Sequence, residues 1–548
     1  MEMTEREKYL LKPFFTNLDE SVFAVTFLPP EVIGALCSRT SRAKDDLRQV
    51  FLDEFVKPFL EGPSNRYGES LKALIDFLHQ YPIELIFSNP KGREFYIKWL
   101  AQFGDDSIAQ MAGAHLIYTG LSQLAIKHFE DMRIGIAPIE KSTRYVDYST
   151  KINDRYRYYS DPKLEEIGLK KEYEQVMDNL FKTYGFLLKR YLDYLKKQYP
   201  QEKESLLKTK TFDVIRKILP VATLSQISFF GNGQAFEYLI NRSLDHKLKE
   251  IRWAAKRALE ELNKIIPAFL RRVETEDVKQ YRVYLKERGE RIQKALKEIG
   301  WQSQPRPGSR LTETRVSVEL LEYDPDGENK VIAGLLYSEL NEPYENILQK
   351  VKSLTPENKE KILQKVLKDR KYKYYKAPRT FENAYLKFEI VMNIGAWRDL
   401  HRHRMLTHYR QRFGISHGFD IPEELKQAGL DSEYISAIKK TEGVFEKIEK
   451  IDPDLAQYCC TLAHRVRFIQ YQNLRNFFWE SELRTIPEGH PDYRKIEHQK
   501  IELVKRIYPL ITRYLLVDMN DYDFARRMTG EKIEKKEQEL KSWNIKQQ

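Results

Sequence analysis

Arg402, His403 and Arg404 stand side by side in the stretch Ala396-Trp397-Arg398-Asp399-Leu400-His401-Arg402-His403-Arg404-Met405. Two forked guanidiniums and a ring that titrates near neutrality suit a large anionic ligand that carries an aromatic ring. Successive helical residues point about 100° apart, so the three cannot all face one side. Burying them requires anionic partners. The plainer reading of the cluster is a solvated basic helix end. Ser142 and Arg144, in Glu140-Lys141-Ser142-Thr143-Arg144, and the single arginines Arg216 and Arg484 are further oxyanion candidates. Taken alone, Ser-x-Arg is a common surface tripeptide, and a lone Arg is more often a helix-face ion pair. His401, His403, His464, His490 and His498 show no HExxH or paired spacing, so no metal is expected. Lys371 to Lys376 is basic and tyrosine-rich. It reads equally as a stacking surface for bases or as a solvated loop over a nucleotide cleft.

The apolar run Leu386 to Ile394 reads as a buried element that delivers the basic cluster to an edge. Residues 21–40 read as strand, turn and helix around Leu28-Pro29-Pro30. Residues 42–100 carry helical periodicity, 105–130 are mixed and apolar, and 163–199 predict a long amphipathic helix. Two more helices are expected over 244–298. Gln302 to Ser309, with Pro305, Pro307 and Gly308, reads as a linker. Arg315 to Glu322 then alternates like a strand, Asp324-Pro325-Asp326-Gly327 reads as a turn, and Val331 to Ser338 as a returning strand that runs into a helix. Cys459-Cys460 is expected in a helix core.

Lys and Arg number 92 against 81 Asp and Glu, a net charge of +11, which fits nucleotides or other anions without choosing among them. Three cysteines without a CxxC indicate neither a disulfide framework nor a zinc ribbon. The first residues are polar and no run approaches 18 apolar residues, so neither a secretory signal nor a membrane span is expected. The chain reads as soluble and cytoplasmic.

Two diverged copies run in the same order. Gly34-Ala35-Leu36-Cys37-Ser38 is echoed by Gly334-Leu335-Leu336-Tyr337-Ser338, and Arg242 with Arg252 by Arg484 with Arg494. The expected division is a first repeat over 1–300, a linker over 301–311 and a second repeat over 312–548. Arg402-His403-Arg404 resembles the Arg-His-Arg signature of flavin-dependent thymidylate synthases. The family's continuation, Ser-x-Arg-Tyr, is absent after Arg404 but resembles Ser142-Thr143-Arg144-Tyr145, where the Arg-His-Arg position has become Asp131-Met132-Arg133. Asn473-Leu474-Arg475 resembles the family's flavin-binding Asn-Leu-Arg, and Arg484 falls where its uracil-facing Arg stands. In the first copy Gly231 and Gly233 stand in for that Asn and Arg. Arg216, before Leu219-Pro220, resembles the family's phosphate-binding Arg, with Gln457 and Thr461 in the second copy. Glu382, twenty residues before Arg402, resembles the Glu of a Pro-Phe-Glu element. Asp399, Trp479 and Arg379 depart from the family's Gln, Asn and Thr.

The resemblance implies an α+β fold in two tandem repeats, each a small antiparallel sheet packed with long helices. It implies reductive methylation of dUMP to dTMP, with 5,10-methylenetetrahydrofolate as carbon donor, NADPH as reductant and FAD as hydride carrier. The implied flavin residues are Arg402, His403, Arg404, Asn473, Arg475, Glu382 and Glu140. The implied nucleotide residues are Glu140, Lys141, Ser142, Thr143, Arg144, Arg216 and Arg484, with Arg484 and Arg402 acting in catalysis. Because the family builds its sites across subunits, the complementary motif loss implies a homodimer that mimics a tetramer, each live site taking one copy of each repeat. Nucleic acid is not an expected partner. The alternatives are a non-catalytic nucleotide- or nucleic-acid-binding protein built from decayed repeats, and a flavoenzyme acting on another nucleotide.

Overall fold

The computed structural model describes residues 3–61, 66–81, 107–301 and 316–525, with isolated positions between 90 and 98 and between 535 and 539. The linker expected over 302–309 and the helical pattern expected over 82–100 lie outside the described residues, apart from those isolated positions. The chain forms two compact units. Unit 1 takes Met1–Gly185, Leu219–Pro307 and Ser436–Cys460; unit 2 takes Phe186–Ile218, Gly308–Ile435 and Thr461–Gln548. Each unit therefore contains a helical segment contributed by the other half of the sequence.

Unit 1 is built on β1 (Val22–Val25), β2 (Gly113–Ser122), β3 (Ile136–Glu140) and β4 (Leu224–Asn232). All pairs are antiparallel, in the order β1-β2-β4-β3. Its principal helices are α1 (Pro30–Thr40), α2 (Gln123–Glu130), α3 (Lys170–Gln198, to Gly185), α5 (Gly233–Ser243), α6 (Lys249–Asn263) and α7 (Glu276–Glu298). The helix α4 (Glu204–Ile215) and the rest of α3 belong to unit 2. Unit 2 repeats the sheet with β5 (Ser317–Tyr323), β6 (Tyr385–Asn393), β7 (Thr407–Arg410) and β8 (Arg465–Asn473), in the order β5-β6-β8-β7. Its helices include α8 (Gly327–Tyr337), α9 (Ile394–Leu400), the start of α10 (Asp431–Glu449), α11 (Leu474–Arg484) and α12 (Pro491–Ile507).

The physical reason for the repeat is visible strand by strand. Each inner strand alternates apolar residues toward the helices, as Leu386, Phe388 and Ile390 do in β6. Each ends on a residue whose side chain caps the helix that follows. Ser122 accepts from the Ala125 N–H, Asn393 from Ala396, Asn232 from Ala235 and Asn473 from Asn476. An N-cap at the end of a strand turns the chain sharply, so helix direction and strand register are fixed together.

Several sequence expectations need correction. Val331 to Ser338 is helical throughout α8 up to its cap at Ser338, because Asp324 to Gly327 closes as a turn and starts a helix at once. The equal lengths of α1 and α8 align Ser338 with Ser41, each the C-cap of its helix, and not with Ser38. Asn232 pairs with Gly113 as Asn473 pairs with Tyr385, so Asn232, not Gly231, is the counterpart of Asn473. By the same count Arg484 matches Ser243, one residue beyond Arg242. Cys459 lies in a 3-10 turn and Cys460 just after it, both buried. The helix expected over 163–199 breaks at Gly168, whose φ of 73° is left-handed. Among the described residues no helix is long and apolar enough to cross a membrane.

Candidate active site

The basic cluster sits one short helix beyond β6. The Asn393 amide accepts from Ala396 N–H and donates to Asp420 (2.8 Å) and Asp492 (2.7 Å), which pins the strand-to-helix corner. After α9 the chain tightens through His401 and His403, whose N–H groups reach Trp397 and Leu400 carbonyls. The cluster then splays by alternation: His401 and His403 are buried, Arg402 is exposed and Arg404 half-buried.

His403 meets Arg484 from the end of α11: the guanidinium Nε donates to the imidazole Nε2 at 2.8 Å. That bond requires an unprotonated acceptor. Burial first, and then the nearby charges of Arg484 and Lys500, push the His403 pKa down to about 3, so the ring is neutral. The guanidinium of Arg484 also lies 5.5 Å from the centre of the Tyr493 ring. Asp399 stands between two arginines, 3.6 Å from Arg402 and 3.8 Å from Arg216. Arg216 is a first-half residue held in unit 2, almost fully buried.

Beneath this layer lies a group the sequence reading missed. The Lys500 ammonium, from α12, bridges Glu480 (2.7 Å) and Glu497 (3.0 Å), and all three side chains are fully buried. Gln470 donates to Glu480 and Ser481 to Glu497. The lysine holds Glu480 ionised below its ordinary range, while burial and the Glu480 charge push Glu497 up. Glu480, Glu497 and Lys500 look like ordinary helix-surface charges in sequence. Only the i,i+3 spacing of Glu497 and Lys500 hinted at a pair.

Asn473, Arg475 and Glu382 line a cleft of about 240 Å³ with Arg370, Lys373, Lys376, Met405, Asn476 and Trp479. Arg475 donates to Glu382 (2.8 Å) and to the Ala377 carbonyl (2.9 Å), tying the 377–382 segment to the start of α11. Asn476 Nδ2 is buried without a hydrogen-bond partner. Lys376 lies 5.6 Å from the Trp479 ring centre, so the basic, tyrosine-rich segment contributes to a cleft wall. Trp479, expected only as a departure from the family, brings the largest flat ring to the cleft.

The Ser-x-Arg half of the motif is in unit 1, directly after β3. The Glu140 carboxylate is held in a buried pair with Lys127 at 2.9 Å, and Lys127 also pairs with Glu130. Lys141 turns its ammonium to the carbonyls of Lys44 and Asp45, and burial lowers its pKa to about 8. Thr143 is buried. Ser142 anchors a turn: its hydroxyl accepts from Arg144 N–H and its carbonyl from Val146 N–H. Of the predicted residues, Glu382, Arg402, His403, Arg404, Asn473, Arg475 and Arg484 thus fall in unit 2 with Arg216, and Glu140, Lys141, Ser142, Thr143 and Arg144 fall in unit 1.

A duplicated four-stranded antiparallel sheet, with an Arg-His-Arg turn between its second and third strands in sequence, defines a thymidylate synthase-like α+β protein. The thymidylate synthase complementing protein family matches the chain twice, over 75–268 and 319–510. This chain belongs to that family, and the double match is that of a tandem duplication. It is 34% identical to a UPF0159 protein of Chlamydia pneumoniae over 538 residues, covering 96% of this chain and 97% of that one. A UPF0159 protein of Thermoplasma acidophilum is 29% identical over 530 residues, covering 90% and 96%. Among solved structures, the UMP/dUMP methylase PolB from Streptomyces cacaoi, bound with 5-Br dUMP, is 13% identical with a TM-score of 0.31, covering 37% of this chain and 95% of that one.

Proposed function

We infer that the chain is a flavin-dependent enzyme that methylates a uracil nucleotide reductively, dUMP to dTMP, with 5,10-methylenetetrahydrofolate as carbon donor and NADPH as reductant. The observation that carries this reading is the gathering of Arg216 with Arg402 about Asp399, and of Arg484 with the neighbouring His403, within one unit. These residues come from both halves of the sequence, and packing alone gives no reason to collect so many cations.

The unit 2 cleft fits FAD in the chemistry of its walls. Lys373 and Lys376 offer charge for a pyrophosphate, Asn476 offers an unused N–H donor, and Trp479 and Met405 offer flat and soft apolar surface for rings. Bound FAD supplies hydride transfer. The protein's own task is then positional. Neutral His403 fixes the direction of Arg484, which faces negative charge as it develops on the uracil edge. Arg402, Arg404 and Asn473 hold the flavin, and Arg216 draws the nucleotide phosphate. Ser142 and Arg144, in unit 1, are assigned to a nucleotide phosphate by the family motif alone. Arg475 and Glu382, joined to each other, shape the cleft.

The purified protein is expected to be yellow and to rescue a thymidine auxotroph. Arg404→Ala should bleach it with its circular dichroism unchanged. Arg144→Ala should stay yellow and lose about 1.5–3 kcal/mol of dUMP affinity, roughly a 10- to 150-fold rise in Kd. A colourless wild type, or two variants that bind flavin and dUMP normally, would overturn the reading.

A further inference from the structure

Helix α7 lies between the two family matches, which end at residue 268 and resume at 319. Its 23 residues span about 34 Å. Arg282 is the single buried residue on it and fastens its first half to unit 1, through Asp245 (3.0 Å) and the Val273 carbonyl (2.6 Å). On either side of that anchor, Tyr281, Tyr284, Ile292 and Ile299 are 43% to 66% exposed. With Arg288 and Ala295 they form one stripe at steps of 3 and 4 residues. The helix ends on Gly300, at φ 67°, and the Trp301 N–H closes on the Leu296 carbonyl at 2.9 Å. Trp301 itself is 72% exposed. Scattered apolar residues on a surface need no explanation, but a continuous stripe with the spacing of a helix–helix seam does.

We propose that this stripe is an interface between two copies of the chain, their α7 helices packed antiparallel. The stripe is complementary to itself in that orientation. Pairing about Glu290 sets Tyr281 of each copy against Ile299 of the other and Tyr284 beside Ala295. The Arg288 stem then lies along Ile292, and the two Arg288 guanidiniums stand apart. Parallel pairing would stack Arg288 on Arg288 in a desolvated seam. Glu287 and Arg291 already pair within one helix and lie along the edge of the stripe. In the antiparallel arrangement each also comes within about 3 Å along the axis of its opposite on the second helix, giving four alternating charges about the two-fold axis. The reading does not depend on the proposed enzymatic activity.

The test uses the full chain. Light scattering should show Glu287→Arg halving the mass of the wild-type assembly, and Glu287→Arg with Arg291→Glu restoring it. Tyr281 and Ile299 stand about 27 Å apart along one helix, too far for a link within a chain. The Tyr281→Cys, Ile299→Cys double variant should therefore give an oxidised band of doubled mass, and neither single variant should. The three native cysteines are buried and do not compete. A monomeric wild type, a mass unchanged by Glu287→Arg, a double variant that does not link, or a single variant that does would each overturn the proposal.

Discussion

Asp399 and His403 are the two residues whose chemistry the structure redefines. Asp399 lies 3.6 Å from Arg402 and 3.8 Å from Arg216, the arginine proposed to draw the nucleotide phosphate, and the pair is mostly buried on the Arg216 side. Asp399→Gln should lower the Tm of the free protein, because it leaves Arg216 buried without that carboxylate. It should also enlarge the Tm gain on adding dUMP, with an affinity rise of roughly 5- to 10-fold, about 1–1.4 kcal/mol. His403 leaves a pH signature. Its folded pKa of about 3 lies below the ordinary value of 6.5, so the unfolded chain takes up a proton first as pH falls. Stability present above pH 6.5 is therefore lost as pH falls toward 3, at up to about 1.4 kcal/mol per pH unit. Glu250, raised by burial to about 7, works the other way over part of the window, gaining stability as it protonates. The wild-type curve is a balance, so the comparison that isolates His403 is Tm against pH for His403→Asn, which should lose less stability than the wild type between pH 6.5 and 4.5. The Arg-His-Arg signature could be read from its three letters. That its histidine takes a guanidinium hydrogen bond could not, because Arg484 is 81 residues away and only the register of β6 with β8 brings α11 to it.

At the level of elements, the four capping residues Ser122, Asn232, Asn393 and Asn473 carry the repeat. Asn232→Ala and Asn473→Ala should each cost about 0.5–2 kcal/mol in denaturant unfolding, and their similar cost would confirm that they hold equivalent corners. Asn473→Ala should weaken flavin retention as well; Asn232→Ala should not. The layer behind the site is harder to disturb. Lys500→Met strands Glu480 in the interior and should cost about 3–5 kcal/mol by urea denaturation. Sequence periodicity found the strands near 22 and 317, and also α3 and α6, whose apolar faces are buried at helical spacing. It misplaced the start of α8, where an apolar run of helix length reads equally as a strand. It also set the counterparts of Asn473 and Arg484 one residue off, at Gly231 and Arg242, where strand pairing and the length of the helix that follows fix Asn232 and Ser243.

Across the whole molecule, neither half of the sequence contains a complete compact unit. Unit 2 needs Phe186–Ile218, which brings Lys217 to Asp492 at 2.7 Å, and unit 1 needs Ser436–Cys460, which brings Tyr458 to Glu250 at 2.7 Å. Residues 312–548 made alone should therefore lack a cooperative thermal transition and bind a hydrophobic dye, whereas coexpression with 1–311 should restore a sharp one. The same exchange sets a clock on synthesis. At roughly 5–20 residues per second, Cys460 follows Pro307 by roughly 8–30 s. Through that interval the nascent first half has all its own strands but not the segment that closes it. Tyr458 has not yet covered Glu250, and the apolar faces awaiting Leu455 and Tyr458 stay open to the cell. A chain whose halves exchange segments thus leaves its first unit open for longer than a chain whose units are each contiguous in sequence.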